Sequence, residues 1–542
     1  MRVRRLGVWA LCGLVLAASV AVADVKLPAL IGDNMVLQRG IKASIWGTAD
    51  KGEQVTVAIG NQKVTATPDA EGRWAVKLEP MEAGGPFELT LAGKNTITLK
   101  NVLVGDVWVC SGQSNMQMNL GGCANAKEEA DKADYPKVRL FSVKLSVAEQ
   151  PQTETQGNWT ECGPKSVPGF SGVGYFFGRE LHKALDVPIG LIHSSWGGTP
   201  AESWTTRPTL ESDPDYKNIL DHWADAAAKY PEAKKKYDEQ MAEWKQAADK
   251  AKAEKKPAPQ QPRAPGDPTK NAWMPAGLYN ANIHPLTPFA IKGAIWYQGE
   301  SNADRAKQYQ KLFPAMINDW RKAWGQADLA FFFVQLANFM GVDKEPADSG
   351  WAELREAQTM TLALPNTGQA VIIDIGEARD IHPRNKQDVG KRLALAALKV
   401  TYGKDIVYSG PTYDSMAVEG SKVRVKFKSI GGGLVAQPLE DQTPNGPTLA
   451  KRFNVPDLAE LRPKSDVYGF AIAGEDKRFV WAEGKIDGET VVVWSDKVPK
   501  PVAIRYAWGN NPVCNLYNKD GLPASPFRTD TWERQAPAPP RK

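Results

Sequence analysis

From residue 24 to about 100 the chain alternates apolar and polar side chains with a period of two. Gln54-Val-Thr-Val-Ala-Ile59 and Gln62-Lys-Val-Thr-Ala-Thr67 are clear runs, punctuated by Gly, Asn and Asp. Successive side chains on a strand point to opposite faces, so this pattern predicts half-buried strands in a small N-terminal β-sandwich. From about 101 to 405 the pattern changes. Short apolar runs (Asp106-Val-Trp-Val-Cys110, Val187 to His193, Gly293-Ala-Ile-Trp-Tyr297, Leu329 to Leu336, Ala370-Val-Ile-Ile-Asp374) alternate with helical periodicity over Gly174 to Leu185, Arg305 to Trp324 and Val389 to Tyr402. Runs apolar on every position suit strands covered on both faces. The fold class expected is therefore α/β, a parallel sheet with helices on both faces.

Residues 209–272 interrupt this domain as a helical insertion. Tyr237, Met241, Trp244 and Ala248 recur at helical spacing, Pro231 divides the segment into two expected helical pieces, and Pro257 to Pro268 form a Pro-rich connection. A helical hairpin packed on the outside and a lid over a cleft both fit. From 406 to 531 strand patterns return, as in Val423-Arg-Val-Lys-Phe427 and Thr490-Val-Val-Val-Trp494, and predict a C-terminal β-sandwich. The Pro-rich tail 532–542 is expected to be disordered.

The first 23 residues read as a signal peptide. Arg2, Arg4 and Arg5 precede the apolar run Leu6 to Val20, and Ala21-Val-Ala23 supplies a small-x-small cleavage site. Export to the periplasm or the extracellular space follows as an expectation. Cleavage takes 67 basic residues to 64 against 62 acidic ones, a formal +2. That balance suggests neither nucleic acid nor, after cleavage, a membrane as partner. At 42% apolar and 24% charged, the composition is that of a globular protein. Cys110, Cys123, Cys162 and Cys514 remain after cleavage, at spacings that match no zinc pattern. Cys123–Cys162 is the pairing guessed. Cys110, inside an apolar run, is expected to be a buried free thiol.

Ligands of an open parallel sheet bind beyond the carboxyl ends of its strands, so the residues that follow each strand carry the chemistry. The first strand runs into Ser111-Gly-Gln-Ser-Asn-Met116, which sets Ser114 at the start of a helix, either as nucleophile or as a plain cap. The second runs into Ser194-Ser-Trp-Gly-Gly-Thr-Pro200, where two glycines allow close approach of a ligand. The third runs into Gln298-Gly-Glu-Ser-Asn302 and offers a side-chain amide. The last ends at Asp380-Ile-His-Pro383, a histidine with a nearby carboxylate. His182 and His222 fall in helical segments, and His284 has Asn282 where the carboxylate would be. His193 closes a strand and could line the site without acting as base. Nucleophile, glycine loop, amide donor and base from one sheet edge together point to acyl transfer.

These blocks resemble the SGNH hydrolases and, within them, the sialate O-acetylesterase family of sugar acetylesterases. The resemblance runs from Asn34-Met-Val-Leu-Gln-Arg39, through the four blocks above, to Asn511-Pro-Val-Cys-Asn-Leu-Tyr-Asn518. It implies a flavodoxin-like SGNH hydrolase domain flanked by the two β-sandwich domains. It also implies Ser114 as nucleophile and His382 as base, with an oxyanion hole from Ser114, Gly197 (Gly198 as fallback) and Gln298. The superfamily places Asp three residues before its histidine, where this chain has Arg379, so Asp380 is the expected third member. Glu377, Asp374 and a Ser–His dyad aided by a backbone carbonyl stay open. Trp196, Asn115 and Glu300 are the expected substrate contacts.

The chemistry implied needs no metal or organic cofactor. His382 takes the Ser114 proton during attack on the acetyl carbonyl, and loss of one oxyanion donor costs about 3 kcal/mol of barrier. Activity is expected to fall below pH ~6 as the base protonates. The substrate implied is an O-acetylated sialic acid, with acetylated xylan or pectin fragments as the alternative. Aromatic faces can stack on sugars, and Trp196 and Trp204 flank the glycine loop, although core packing accounts for most of the 18 tryptophans. A glycan-binding protein with an inactive central domain is the reading from another class, which the intact Ser, Gly, Gln and His disfavour.

Overall fold

The long strand Thr96–Gly112 organises the molecule. Its first half pairs antiparallel with Gly84–Ala92 among the N-terminal strands. Its second half lies at the centre of a parallel sheet, between Ile189–Ser195 and Gly293–Tyr297. The strand therefore crosses the boundary expected at residue 100. The computed structural model describes residues 24–439 and 464–533. The expected signal peptide, 1–23, and the tail from 534 lie outside them. Trp532, in the first part of the expected tail, packs its ring against Phe479.

The central sheet runs in the order Thr367–Ala370, Ala330–Val334, Gly293–Tyr297, Thr96–Gly112, Ile189–Ser195, Tyr135–Ser142, Trp159–Cys162. All pairs are parallel except the last, an antiparallel edge. After Thr96–Gly112 the chain first builds one side, where Ile189–Ser195 comes last and inserts beside the central strand, and then, from Gly293, builds the other. That reversal leaves a crevice at the carboxyl end of the first strand.

The continuous apolar runs are explained by two cores, one on each face. Val107, Val109, Ala294, Trp296, Phe331 and Phe333 join one apolar cluster, with the helices Ala306–Trp324 and Gly350–Met360. Their neighbours Trp108, Cys110, Ile295, Tyr297, Phe332 and Val334 join the other, with the helices Gly172–Leu185 and Lys386–Val400. The period is two, but both faces are dry, so the polar half of the alternation is absent. The first cluster continues without a break into the N-terminal strands through Val36, Ile45, Val57 and Leu91.

Among the described residues of 406–531, two four-stranded antiparallel sheets run through Lys422–Lys428 and Phe470–Ala473. They share a third core built on Val423, Val425, Phe470, Ile472 and Ile504.

Two expectations are corrected. The insertion is not a hairpin of two helices but one helix, Lys217–Ala253, with Pro231 inside it. Proline removes one intrahelical bond, a loss that is tolerated here because the helix is solvated, with only Ile219 buried. Ion pairs at i,i+4 (Lys217–Asp221, Asp225–Lys229, Lys234–Asp238) support its exposed length. The guessed Cys123–Cys162 bridge is absent: Cys110, Cys123 and Cys162 are buried free thiols, and Cys514 is buried as well. Burial pushes the Cys123 thiol up to about 11 and that of Cys162 up to about 12, so neither is a ready thiolate.

The segment Asn34 to Arg39 has a structural role. Asp106, at the foot of the central strand, accepts two bonds from Arg39 (3.0 and 2.8 Å), one from Gln38 (3.1 Å) and one from Tyr402 (2.9 Å). Asp106 is 1% exposed. Asp106→Ala leaves these donors without their acceptor and is expected to lower stability by about 3 kcal/mol, read from urea unfolding.

Candidate active site

Ser114 follows a turn that needs glycine at position 112. Gly112 has φ +133, and a Cβ there would lie 2.2 Å from the carbonyl oxygen of Tyr297 on the next strand. Ser114 opens the short helix Ser114–Gln117, so its backbone N–H has no acceptor within that helix. Its Oγ lies 2.8 Å from His382 Nε2, and both side chains are partly exposed. These two groups, 268 positions apart in the chain, meet at hydrogen-bonding distance in the crevice.

The His382 loop is held from several sides. Asp374 is gripped by Arg392 (2.5 and 2.7 Å) and accepts from Tyr517 at 3.2 Å. Glu377 accepts from the Arg384 N–H at 3.0 Å. Asp380 Oδ1 accepts the backbone N–H of His382 at 2.9 Å and stands 3.6 Å from His382 Nδ1. Of the three candidate carboxylates, Asp380 is the one at the imidazole, at an ion-pair distance longer than a direct hydrogen bond. Its side chain is 52% exposed, unlike a buried triad aspartate.

The glycine loop lies against the nucleophile. A Cβ on Gly197 would come within 3.2 Å of Ser114 Cβ, so a larger residue would crowd the serine. The Gly197 N–H donates to Gln117 Oε1 at 2.8 Å. Gly198 has φ +73 with open space around it. Gln298 is fully buried: its Nε2 donates to Asn302 Oδ1 (2.6 Å) and Thr199 O (3.3 Å), while its Oε1 accepts from Tyr309 (3.0 Å). In this structure it braces the glycine loop from beneath. Asn302 and Arg305 both donate to Glu202, so the second and third blocks are locked together.

The three expected substrate contacts divide. Trp196 is half-buried beside the serine turn, and its N–H donates to Gly112 O. Asn115 is 1% exposed and donates to Glu300 Oε1 at 2.6 Å, so these two face each other beneath the serine. Asn115 is buried and Glu300 half-buried, and this bond engages the two side chains with each other. Trp204 is no sugar platform, being fully buried against Trp296.

Three of the other histidines weighed are engaged elsewhere. His193 pairs with Ser195 Oγ at 2.6 Å, and burial pushes its imidazole down to about 4. His182 and His284 bind the backbone carbonyls of Val187 and Gln152. Among the described residues no group of three or more His, Cys, Asp or Glu is arranged to hold a metal ion, and no helix is long and apolar enough to cross a membrane.

The family model described as "Carbohydrate esterase, sialic acid-specific acetylesterase" matches residues 104–254 and 262–399, more than half of the chain. The chain belongs to the sialate O-acetylesterase family. Among its relatives, the sialate O-acetylesterase of Mus musculus is 38% identical over 71% of this chain and 75% of its own length. That of Homo sapiens is 34% identical over 93% and 92%. A solved carbohydrate acetylesterase from Xanthomonas citri superposes with a TM-score of 0.75 at 38% identity, over 94% of this chain and 100% of that one.

Within this sialate O-acetylesterase family member, sequence reasoning missed Gln117 and Lys386. Gln117 sits three residues after Ser114 on the same helix face, a spacing that could have flagged it. Lys386 lies four residues after His382 and reads as an ordinary first-turn lysine. Only its full burial distinguishes it.

Proposed function

We propose that this chain is a serine esterase that removes O-acetyl groups from carbohydrate, with O-acetylated sialic acid as its leading substrate. The observation that carries the reading is the 2.8 Å contact of Ser114 with His382 at the switch point of the sheet. The acetylesterase names of its relatives support the substrate class. Without the added strand Tyr135–Ser142, the parallel strands follow the flavodoxin-like order 2-1-3-4-5, which supports an SGNH hydrolase core. The sheets before and after it are read as flanking β-sandwich domains. The Arg2 to Ala23 pattern supports a signal peptide and export to the periplasm or beyond.

His382 Nε2 takes the proton of Ser114 as Oγ attacks the acetyl carbonyl carbon. The tetrahedral oxyanion is held by the backbone N–H groups of Ser114 and Gly197. Gln117 Oε1 already occupies the Gly197 N–H as an amide oxygen, the kind of acceptor an ester carbonyl is, and the substrate displaces it. Gln298 joins as third donor by giving up its long bond to Thr199. The sugar oxygen then leaves with the proton from His382, and water clears the acetyl-enzyme by the same steps.

Asp380 acts here as an exposed electrostatic partner for the imidazolium. Asp380→Asn is therefore expected to lower kcat about tenfold, well short of the ~10⁴-fold that follows loss of a buried triad carboxylate. A loss above 10³-fold would show that the carboxylate closes onto Nδ1 in the working enzyme. Acetate release from a panel of O-acetylated sialic acids and acetylated xylan and pectin fragments, beside Ser114→Ala, tests the function itself. Release from the sialic acids alone fits the leading substrate, and release from the plant fragments alone selects the alternative. No serine-dependent release from either would leave the glycan-binding reading.

A further inference from the structure

Beneath the proposed serine and histidine lies a buried charged group with no part in the steps above. Lys386 opens the helix Lys386–Val400 and is fully buried. Its Nζ donates to Asn115 Oδ1 at 2.5 Å and sits 5.1 Å from the centre of the Tyr297 ring. Asn115 Nδ2 donates in turn to Glu300 Oε1 at 2.6 Å and to the carbonyl oxygen of Ile381 at 3.0 Å.

A carboxamide set between an ammonium and a carboxylate has one favourable orientation, oxygen toward the cation and nitrogen toward the anion. With that orientation set, the second amide proton is aimed at Ile381, the residue before His382. Asn115 is also the residue after Ser114. One side chain thus ties the peptide beside the nucleophile to the peptide beside the base. The arrangement is costly in solvation. Burial pushes the Lys386 amine down to about 8 and raises the Glu300 carboxyl, and Glu300 Oε2 and Tyr297 Oη are buried without a hydrogen-bond partner. The carboxylates of Glu300, Glu377 and Asp380 lie near enough to favour the lysine's charge, and the neutral Cys123 thiol is also close by. Apolar packing would fill the same space at lower cost, so stability alone gives no reason for the charges.

We infer that Lys386 and Glu300 are positioning residues that clamp Asn115 between opposite charges and so fix the separation of Ser114 and His382. The inference rests on the proposed Ser114–His382 chemistry.

The test is Lys386→Met in the full chain, with kcat and KM for p-nitrophenyl acetate and a thermal melt to verify folding. Misplacing a reacting pair by about 1 Å costs on the order of 100-fold in rate, so kcat is expected to fall about 100-fold with KM within about threefold. A folded variant that loses less than about tenfold in kcat, or whose loss is carried by KM, overturns the inference. If Lys386→Met does not fold, the near-isosteric Asn115→Asp decides by the same thresholds, since it removes both amide donations. Serine-independent turnover by Ser114→Ala would instead sink the esterase reading, whatever Lys386 does.

Discussion

Ser114→Ala is expected to cut acetate release by about 10⁴-fold or more while leaving affinity for the acetylated sugar within about twofold of the parent. The hydroxyl has a base at 2.8 Å and stands against the glycine loop, whose Gly197 N–H holds the amide oxygen of Gln117. Alanine removes the nucleophile without adding bulk against Gly197, a position where even a Cβ would crowd the serine. The glycine loop stays locked to the third block through Asn302, Glu202 and Arg305, so the sugar site keeps its shape. Activity is read as released acetate and affinity by calorimetry with uncleaved ligand. Turnover within about tenfold of the parent would exclude Ser114 as nucleophile. Loss of both turnover and affinity would point to a collapsed site.

The second large effect is at the base. His382→Ala is expected to lose about as much as Ser114→Ala, and the double variant no more than either, because the pair acts as one unit. Independent roles would instead multiply the two losses. The pH profile carries the sign of the same proton. His382 accepts the serine proton only when neutral, so kcat/KM falls toward acid with a slope approaching one. The buried His193 leaves that limb untouched, since its imidazole is pushed down to about 4 and is already neutral across the working range. A flat profile down to about pH 4 would remove His382 from the reaction.

Much of this architecture was legible in the chain itself. The runs at Asp106 to Cys110, Gly293 to Tyr297 and Leu329 to Leu336 became strands of one parallel sheet because each is apolar at consecutive positions. That is a local property, set by neighbours in sequence. Ser114 and His382 were legible for a related reason. Each follows a strand-ending pattern, and the strands of a parallel sheet deliver their carboxyl ends to one edge.

What each polar side chain bonds to was decided by tertiary structure alone. Asn115 meets Lys386 from 271 positions away, and the Gly197 N–H meets Gln117 from 80. Nothing in the local pattern separates a substrate contact from a buried support, because the two use the same residue types. The chain left Asp374 open beside the expected Asp380, and only the structure shows Arg392 holding Asp374. Cys123 and Cys162 were equally silent, since pairing depends on the geometry between two side chains rather than on their spacing. The sequence by itself determined which segments form strands and helices, which faces are apolar and which side chains follow the strand ends, because those follow from periodicity along the chain. Only the tertiary structure decided which hydrogen bonds those side chains make, because the partners come from segments that folding alone brings together.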